Sequence, residues 1–178
     1  LLPLLDADSV DSWYRQAFTV LARMAAVDAA STGLADYDRT LLREELGRFQ
    51  EWSVERLLGY TVPAQEQATL DRLLARLIDS ALQQPRVLVH RDFHSRNLMA
   101  SGGDELAVID FQDAVVGPIT YDLVSLLRDC YIRWSPAQVQ GWALAYRDLL
   151  RAQVEHVAAG EVAHQADEAG HCADALAV

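Results

Sequence analysis

The chain has 178 residues, 51% of them hydrophobic, which is enough for one domain with a buried core. Its formal net charge of −11 disfavours nucleic acid and anionic membranes as partners, because their phosphates would be repelled. The sequence contains no apolar run of the roughly 18–20 residues that cross a bilayer and no visible signal peptide, so a cytoplasmic protein is expected.

Helical periodicity dominates the first part of the chain. Apolar residues at steps of three and four predict an amphipathic helix over residues 9 to about 29. Asp38 is expected to cap a second helix, which runs to Leu58 and stops at Gly59.

A third helix is predicted to start at Thr61 and Pro63 and to end before Pro85. Its apolar face comprises Leu70, Leu73, Leu74, Leu77, Ile78 and Leu82. Large aromatic residues at helical spacing are expected in the core, and these are Trp13, Phe18, Trp142 and Tyr146.

The period of the pattern changes after residue 85. RVLVH (86–90) and ELAVID (105–110) are short and rich in β-branched residues, which predicts strands rather than helices. Gly102-Gly103, the only pair of adjacent glycines, predicts a hairpin turn between two short strands.

Helices are predicted again after a loop at Gly117-Pro118. One covers residues 121 to about 131, and another begins after Ser135-Pro136. The apolar face of this last helix comprises Val139, Trp142, Tyr146, Leu149 and Leu150. Residues 158–178 are Ala-rich, so a frayed helix or a disordered tail is expected there.

The polar run VHRDFHSRNLM (89–99) carries the residues that suggest chemistry. Asp92 lies two residues after a predicted strand, Asn97 follows five residues later, and Asp110 ends the next predicted strand, thirteen residues after Asn97. This layout brings two carboxylates and an amide to one edge of a small hairpin. Phosphoryl transfer needs such a set, because one carboxylate orients the attacking hydroxyl while a carboxylate and an amide oxygen hold Mg²⁺. The spacing HRDxxxxN followed by DF matches the signature set of kinases.

Each of these residues also has a structural interpretation. Asp and Asn are common in turns, because their side chains bond nearby backbone groups, but the three together at this spacing favour catalysis. His90 is expected to brace the loop rather than to catalyse, and His94 is a candidate for substrate contact. The histidines and Cys130 and Cys172 show no paired ligand spacing and no CxxC, so neither a zinc site nor a disulfide framework is indicated.

Several parts of a nucleotide site are missing from the sequence. All 15 basic residues are arginine, so there is no Walker lysine, no Schiff-base lysine and no strand lysine for nucleotide phosphates. The sequence also has no glycine-rich phosphate loop. The chain begins at Leu1 rather than Met, so we expect it to be a piece of a longer protein and to be inactive by itself.

Three stretches, LVHRDFHSRNLM, VIDFQDAVVGPITYDLVSLLRDCYIRW and GWALAYRD, resemble the aminoglycoside-phosphotransferase-like kinases. Among these they are most similar to the bacterial kinases that phosphorylate the anomeric hydroxyl of N-acetylmuramate and N-acetylglucosamine in peptidoglycan recycling. The resemblance covers about residues 1–148 and implies an α+β, mostly α fold, the C-terminal lobe of a kinase-like protein. The implied lobe spans 1–157, with helices over 1–85, a small β-hairpin with the catalytic loop over 86–110, and helices over 119–157.

The resemblance also implies a set of site residues, with Mg²⁺ as cofactor and ATP and an amino sugar as substrates. Asp92 would be the catalytic base, with Asn97 and Asp110 on Mg²⁺. Asp122 matches the acid that braces the catalytic loop from the following helix, and His90 would support the same loop. The implied contacts to phosphate or substrate are His94, Gln112, Asp113, Arg128 and Arg133.

The sequence departs from the family in two places and leaves two alternatives open. It lacks the N-terminal lobe, with its phosphate-covering loop and lysine, and it leaves the family pattern after about residue 150. An aminoglycoside or other small-alcohol kinase is one alternative, and the acidic charge would suit a polycationic antibiotic. The other is a lobe that binds a ligand without catalysis, which the missing lysine favours and the acid–amide set disfavours.

Overall fold

The computed structural model describes residues 1–101 and 105–175, with residues 156–175 as backbone only. The helices are α1 (Val10–Ala25), α2 (Arg39–Arg48), a π-helical segment (Phe49–Leu57), α3 (Ala64–Leu82), α4 (Tyr121–Leu127) and α5 (Pro136–Ala175). The strands are β1 (Arg86–Val89), β2 (Leu98–Ser101), β3 (Glu105–Val108) and β4 (Val115–Pro118). The described chain is therefore mostly helical with small sheets, as predicted for the α+β class.

Side-chain chemistry sets the predicted helix ends. The Asp38 carboxylate accepts a hydrogen bond from the Leu41 backbone N–H at 2.9 Å, which caps α2 as predicted. Gly59 follows the π-helical segment with φ of +65°, a conformation that glycine adopts without strain. Pro63 precedes the first residue of α3, so the start of this helix is also confirmed.

The second predicted helix is not uniformly α-helical, and in this respect the prediction is wrong. After α2 the chain continues as the wider π-helix. In this segment side chains five residues apart pair, as Gln50 does with Glu55 at 2.8 Å and Arg56 with Glu51 at 2.7 Å. These pairs suit the i→i+5 repeat of a π-helix, which simple apolar periodicity does not distinguish from an α-helix.

The four strands form two antiparallel pairs, β1 with β4 and β2 with β3. The strands predicted over 86–90 and 105–110 are present, but they pair with two strands that the sequence did not predict. Two small sheets therefore replace the single expected hairpin. The predicted Gly102-Gly103 turn lies outside the described residues.

Gly117-Pro118, predicted to be part of a loop, belongs to β4 instead. The strand passes close to Tyr37, and a Cβ atom at Gly117 would lie 3.0 Å from that side chain, so a larger residue would force Tyr37 to shift. Pro118 stands at the last position of a strand in a two-stranded sheet, opposite Arg86, where a missing N–H is tolerated. Glycine and proline here reflect close packing and a strand end rather than a loop.

The core consists of two clusters that hold the ends of the segment between β1 and β2. One cluster joins α1, α4 and α5 and includes Phe93 and Leu98, while the other contains Val87 and Val89 of β1. The predicted core aromatics are confirmed, since Phe18, Trp142 and Tyr146 are buried and Trp13 packs against them. Residues 90–97 are thus anchored on both sides.

Two helices differ from expectation in their surroundings. On α3, Ile78 is buried but Leu73 and Leu77 are exposed, because only one edge of this helix meets α2 and β4. α5 continues to Ala175 through the Ala-rich segment, and the frayed or disordered tail over 158–178 stays a prediction. In the part of the chain that the structure describes, no helix is long and apolar enough to cross a bilayer.

Candidate active site

The predicted catalytic loop (residues 90–97) connects β1 to β2 and is folded around the backbone of Asp92. The Asp92 carbonyl accepts hydrogen bonds from the His94 N–H and from the Asn97 side-chain amide, both at 3.0 Å. The Asn97 N–H in turn donates to the His94 carbonyl at 2.9 Å. The Asp92 carboxylate is exposed and has no hydrogen bond to any residue that the structure describes, so it is available to a ligand.

Ile109 connects the catalytic loop to Asp110. Its N–H donates to the Asn97 carbonyl at 3.0 Å, and its carbonyl lies 3.0 Å from His90 Nε2. Because a carbonyl only accepts, this contact requires the hydrogen of the neutral His90 ring to be on Nε2. The structure thus brings Asp92, Asn97 and Asp110 to one edge, as the sequence analysis expected, while their roles stay predictions.

Two residues of this edge have unusual backbone conformations. Arg91 has φ of +77° and Asp110 has φ of +71°. Asp tolerates the left-handed region better than most residues, whereas a residue such as Arg in this region costs about 1–3 kcal/mol. Such strain persists only where surrounding contacts enforce it, and it is common at functional sites.

Asp122, in the first turn of α4, supplies that enforcement for the start of the loop. Its carboxylate accepts the His90 N–H at 2.6 Å and the Arg91 N–H at 3.0 Å. The side chain is only 3% exposed, and burial raises its pKa to about 6, although the two amide hydrogen bonds pull the pKa down. The geometry is that of a loop brace, which is the role predicted for this residue.

His90 is surrounded in a way that suits support rather than proton transfer. Burial lowers its pKa, so the neutral ring is favoured at neutral pH. Its ring meets Phe93 edge to face at 6.0 Å, and its Nδ1 is buried with no partner among the described residues. The ring and its Nε2–H therefore link the loop to Ile109.

Asp129 is a second brace, which the sequence analysis did not identify. One carboxylate oxygen accepts the Ser95 N–H at 2.9 Å, and the other accepts the Tyr131 N–H at 2.8 Å. The residue is buried, and α4 ends two residues before it, earlier than the predicted end near residue 131. The sequence offered no signal for this role, because Asp129 fell inside the helix predicted to run to about residue 131.

A third acid holds the side chain of Arg91. The Arg91 guanidinium pairs with Glu45 of α2, which also accepts hydrogen bonds from the hydroxyls of Tyr37 and, at 3.0 Å, Tyr121. Burial alone would raise the pKa of Glu45, but these three donors outweigh it and hold the pKa below its ordinary value. The cluster could not be recognised in the sequence, since its members come from α2, α4 and two loops.

The remaining predicted residues are His94, Gln112, Asp113, Arg128 and Arg133. The His94 ring packs against Tyr131 at 5.5 Å, between the catalytic loop and the segment after α4. Gln112 and Asp113 are exposed in the turn before β4. Arg128 and Arg133 are exposed and line a pocket of about 340 Å³.

The edge that carries Asp92, Asn97 and Asp110 also offers oxygen ligands for a hard cation. The Asn97 side-chain N–H₂ is engaged by the Asp92 carbonyl, which leaves the amide oxygen unused, and the Asp110 carboxylate is exposed. Within residues 1–101 and 105–155, no group of three His, Cys, Asp or Glu side chains is arranged around a metal position. Mg²⁺ needs no such group, because in phosphoryl-transfer sites it takes one or two protein oxygens together with phosphates and water.

Comparison with known proteins identifies relatives along most of the chain. N-acetylmuramate/N-acetylglucosamine kinase of Pseudomonas putida is 42% identical over 175 residues, which are 98% of this chain and 49% of that protein. The kinase of the same name from Pseudomonas aeruginosa is 39% identical over 138 residues, 78% of this chain and 40% of that protein. A solved glucosamine kinase has 23% identity and a TM-score of 0.44, covering 85% of this chain and 43% of that one.

The chain spans about half the length of the first of these relatives and less of the second. Residues 2–157 match the model of the phosphotransferase enzyme family (APH). This match includes the catalytic loop, both buried acids that hold its backbone, and the Asp110 edge. Since it covers most of the sequence, the chain belongs to the phosphotransferase enzyme family.

Proposed function

We propose that the protein containing this chain transfers the γ-phosphoryl group of ATP to the anomeric hydroxyl of N-acetylmuramate or N-acetylglucosamine, in the recycling of peptidoglycan. The observation that carries this proposal is the convergence of Asp92, Asn97 and Asp110 at one edge, through the backbone of Ile109. The name of the relative at 42% identity supports the choice of acceptor. Both substrates are cytoplasmic small molecules in this proposal.

Asp92 serves as the base that accepts the proton of the sugar hydroxyl. Among the acids of the loop region it is the one whose carboxylate is exposed at the centre of the loop, whereas Asp122 and Asp129 are buried and engaged with backbone amides. In this reaction class catalysis consists mainly of positioning and electrostatic stabilisation, so a rigidly held carboxylate is the main requirement on the protein.

Asn97 and Asp110 provide the oxygen ligands for Mg²⁺. The Asp92 carbonyl orients the Asn97 amide, and the bond between Ile109 and Asn97 keeps Asp110 beside it. Bound there, Mg²⁺ would neutralise charge on the phosphates during transfer. The sequence has no lysine for this purpose, so any further cationic contact to the phosphates comes from arginine or from chain outside these 178 residues.

The test is a substrate panel with the protein encoded by the complete gene. It is incubated with ATP, Mg²⁺ and either N-acetylmuramate, N-acetylglucosamine or an aminoglycoside, and the products are identified by mass spectrometry and by loss of the reducing end. Transfer to the anomeric position of the amino sugars supports the proposal. Phosphorylation of the aminoglycoside alone would establish the alternative kinase, and sugar binding without any transfer would establish a binding lobe.

A further inference from the structure

The pocket of about 340 Å³ opens on the segment that follows α4, and it does not include Asp92 or Asp110. Its lining includes Arg128, Cys130, Tyr131, Arg133 and Trp134. A volume of this size is of the order of a single sugar ring with its substituents. The pocket has no role in the chemistry derived above.

The pocket is fixed directly to the catalytic loop. Asp129, which also lines it, holds the Ser95 N–H of the loop with one oxygen and the Tyr131 N–H of the pocket with the other. The Tyr131 ring in addition contacts two loop side chains, His94 at 5.5 Å and Arg96 at 4.8 Å. A ligand in the pocket therefore lies beside the loop that presents Asp92.

The charge of the pocket is opposite to that of the chain. Arg128 and Arg133 are both exposed, and neither has a carboxylate within 4.0 Å among the described residues. The one acid in the lining, Asp129, is buried and already accepts two amide hydrogen bonds. In a chain of net charge −11, two unpaired guanidinium groups create a local site for an anion, and their planar forks match a carboxylate.

We propose that this pocket binds the carboxylate of an acidic acceptor, with Arg133 and Arg128 as its specificity-determining residues. The inference rests on the proposed function, because it assigns the two arginines to the lactyl carboxylate of N-acetylmuramate. N-acetylglucosamine lacks this lactyl group and carries no charge, so it gains nothing from the arginines. Arg133 is the better probe, because Arg128 also lines a second pocket.

The two sugars form a matched pair of substrates for the test. In Arg133→Gln, we expect the KM for N-acetylmuramate to rise about 10- to 100-fold, since a charge-assisted hydrogen bond is lost. The kcat and KM for N-acetylglucosamine and the KM for ATP should stay as in the wild type. In Arg133→Lys, the KM for N-acetylmuramate should rise less than in Arg133→Gln. Arg147→Gln is the matched control, because Arg147 is exposed on α5 and pairs with Asp148 rather than lining the pocket.

A second readout does not depend on turnover. Cys130 is an exposed thiol in the pocket, so maleimide labelling at Cys130, followed by peptide mass spectrometry, reports occupancy. N-acetylmuramate should slow this labelling in the wild type, N-acetylglucosamine at the same concentration should slow it less, and Arg133→Gln should abolish the difference.

The outcomes separate this inference from the proposed function. An equal rise in KM for both sugars, or a raised KM for ATP, would overturn the proposed subsite. The arginines would then contribute to folding or to binding of the phosphates. A wild-type protein that phosphorylates neither sugar would refute the proposed function instead. In that case the labelling experiment alone decides the subsite: protection by N-acetylmuramate that Arg133 controls supports it, and equal labelling overturns it.

Discussion

The backbone N–H of Ser95 donates to the buried carboxylate of Asp129, 2.9 Å away, and this bond ties the catalytic loop to the segment after α4. Asp122 holds the start of the same loop through the amides of His90 and Arg91. Between these two anchors, Asp92 is left exposed. Asp122 and Asp129 are thus buried and accept backbone hydrogen bonds, whereas Asp92 is exposed and free to meet a substrate.

Asp92→Asn should leave the fold intact and lower kcat by about 10²- to 10⁴-fold, the usual contribution of a general base. The carboxylate has no hydrogen bond to described residues, and the loop is held through the Asp92 carbonyl, which the substitution keeps. The measurement is kcat with saturating ATP and sugar, together with the Tm. Asp8→Asn, in the exposed turn before α1, is the control. Retention of more than half of the wild-type kcat would remove Asp92 from the mechanism.

Asp110→Asn should raise the Mg²⁺ concentration needed for half-maximal turnover and reduce kcat. An amide oxygen replaces the charged ligand, while Asn tolerates the φ of +71° at this position, so that backbone strain does not confuse the result. The measurement is a titration of turnover with Mg²⁺ at fixed ATP. Asp113→Asn, in the neighbouring exposed turn, shows how much of the effect is general loss of negative charge. If the Mg²⁺ dependence of turnover were unchanged in Asp110→Asn, Asp110 would be excluded as a ligand of Mg²⁺.

Local chemistry made several helix ends, and the loop between β1 and β2, predictable from the sequence. Asp38, Gly59 and Pro63 act on residues close to them in the chain, and Asp92, Asn97 and Asp110 lie within one short stretch of it, the loop and the pair of strands that follows. These signals need no knowledge of distant contacts.

The parts that sequence reasoning missed depend on contacts between distant segments. Gly117 lies in a strand that pairs with β1 and packs against Tyr37, eighty residues earlier in the chain. Asp129 braces the loop because folding brings Ser95 to it, and Glu45 meets Arg91 in the same way. A single sequence gives no measure of such proximity, so Asp129 and Glu45, both within predicted helices, would be expected on the surface.

The raised pKa of Asp122 predicts a pH-dependent contribution to stability. Burial raises this pKa from 3.8 to about 6 in the folded protein, so the folded state holds the proton more tightly than the unfolded chain. The contribution of Asp122 to the free energy of unfolding is therefore fully present below about pH 4 and is lost as the pH rises through about 6. The loss is on the order of 3 kcal/mol, since each unit of pKa corresponds to about 1.4 kcal/mol.

The test compares urea unfolding of the wild type and Asp122→Asn between pH 4 and 7 at constant ionic strength. Carboxylates elsewhere contribute equally to both proteins and cancel in the difference. The stability of the wild type relative to the variant should fall across this range, because the amide does not titrate. If the free energy of unfolding changed with pH in the same way in both proteins, the pKa of Asp122 would not be raised in the folded state.

Asp129→Asn should loosen the middle of the catalytic loop while leaving its start in place. An amide has one acceptor oxygen, so either the Ser95 N–H or the Tyr131 N–H loses its partner and faces an N–H₂ group instead. The expected result in hydrogen exchange is faster exchange at Ser95, at Tyr131 or at both, with His90 and Arg91 unchanged. Asp122→Asn is the reciprocal control, because it should accelerate exchange at His90 and Arg91 and spare Ser95.

We also expect kcat to fall in Asp129→Asn, since the loop positions Asp92 for the acceptor hydroxyl. If Asp129→Asn changed exchange equally at all four amides, the two acids would act on the loop as one unit and not as separate anchors.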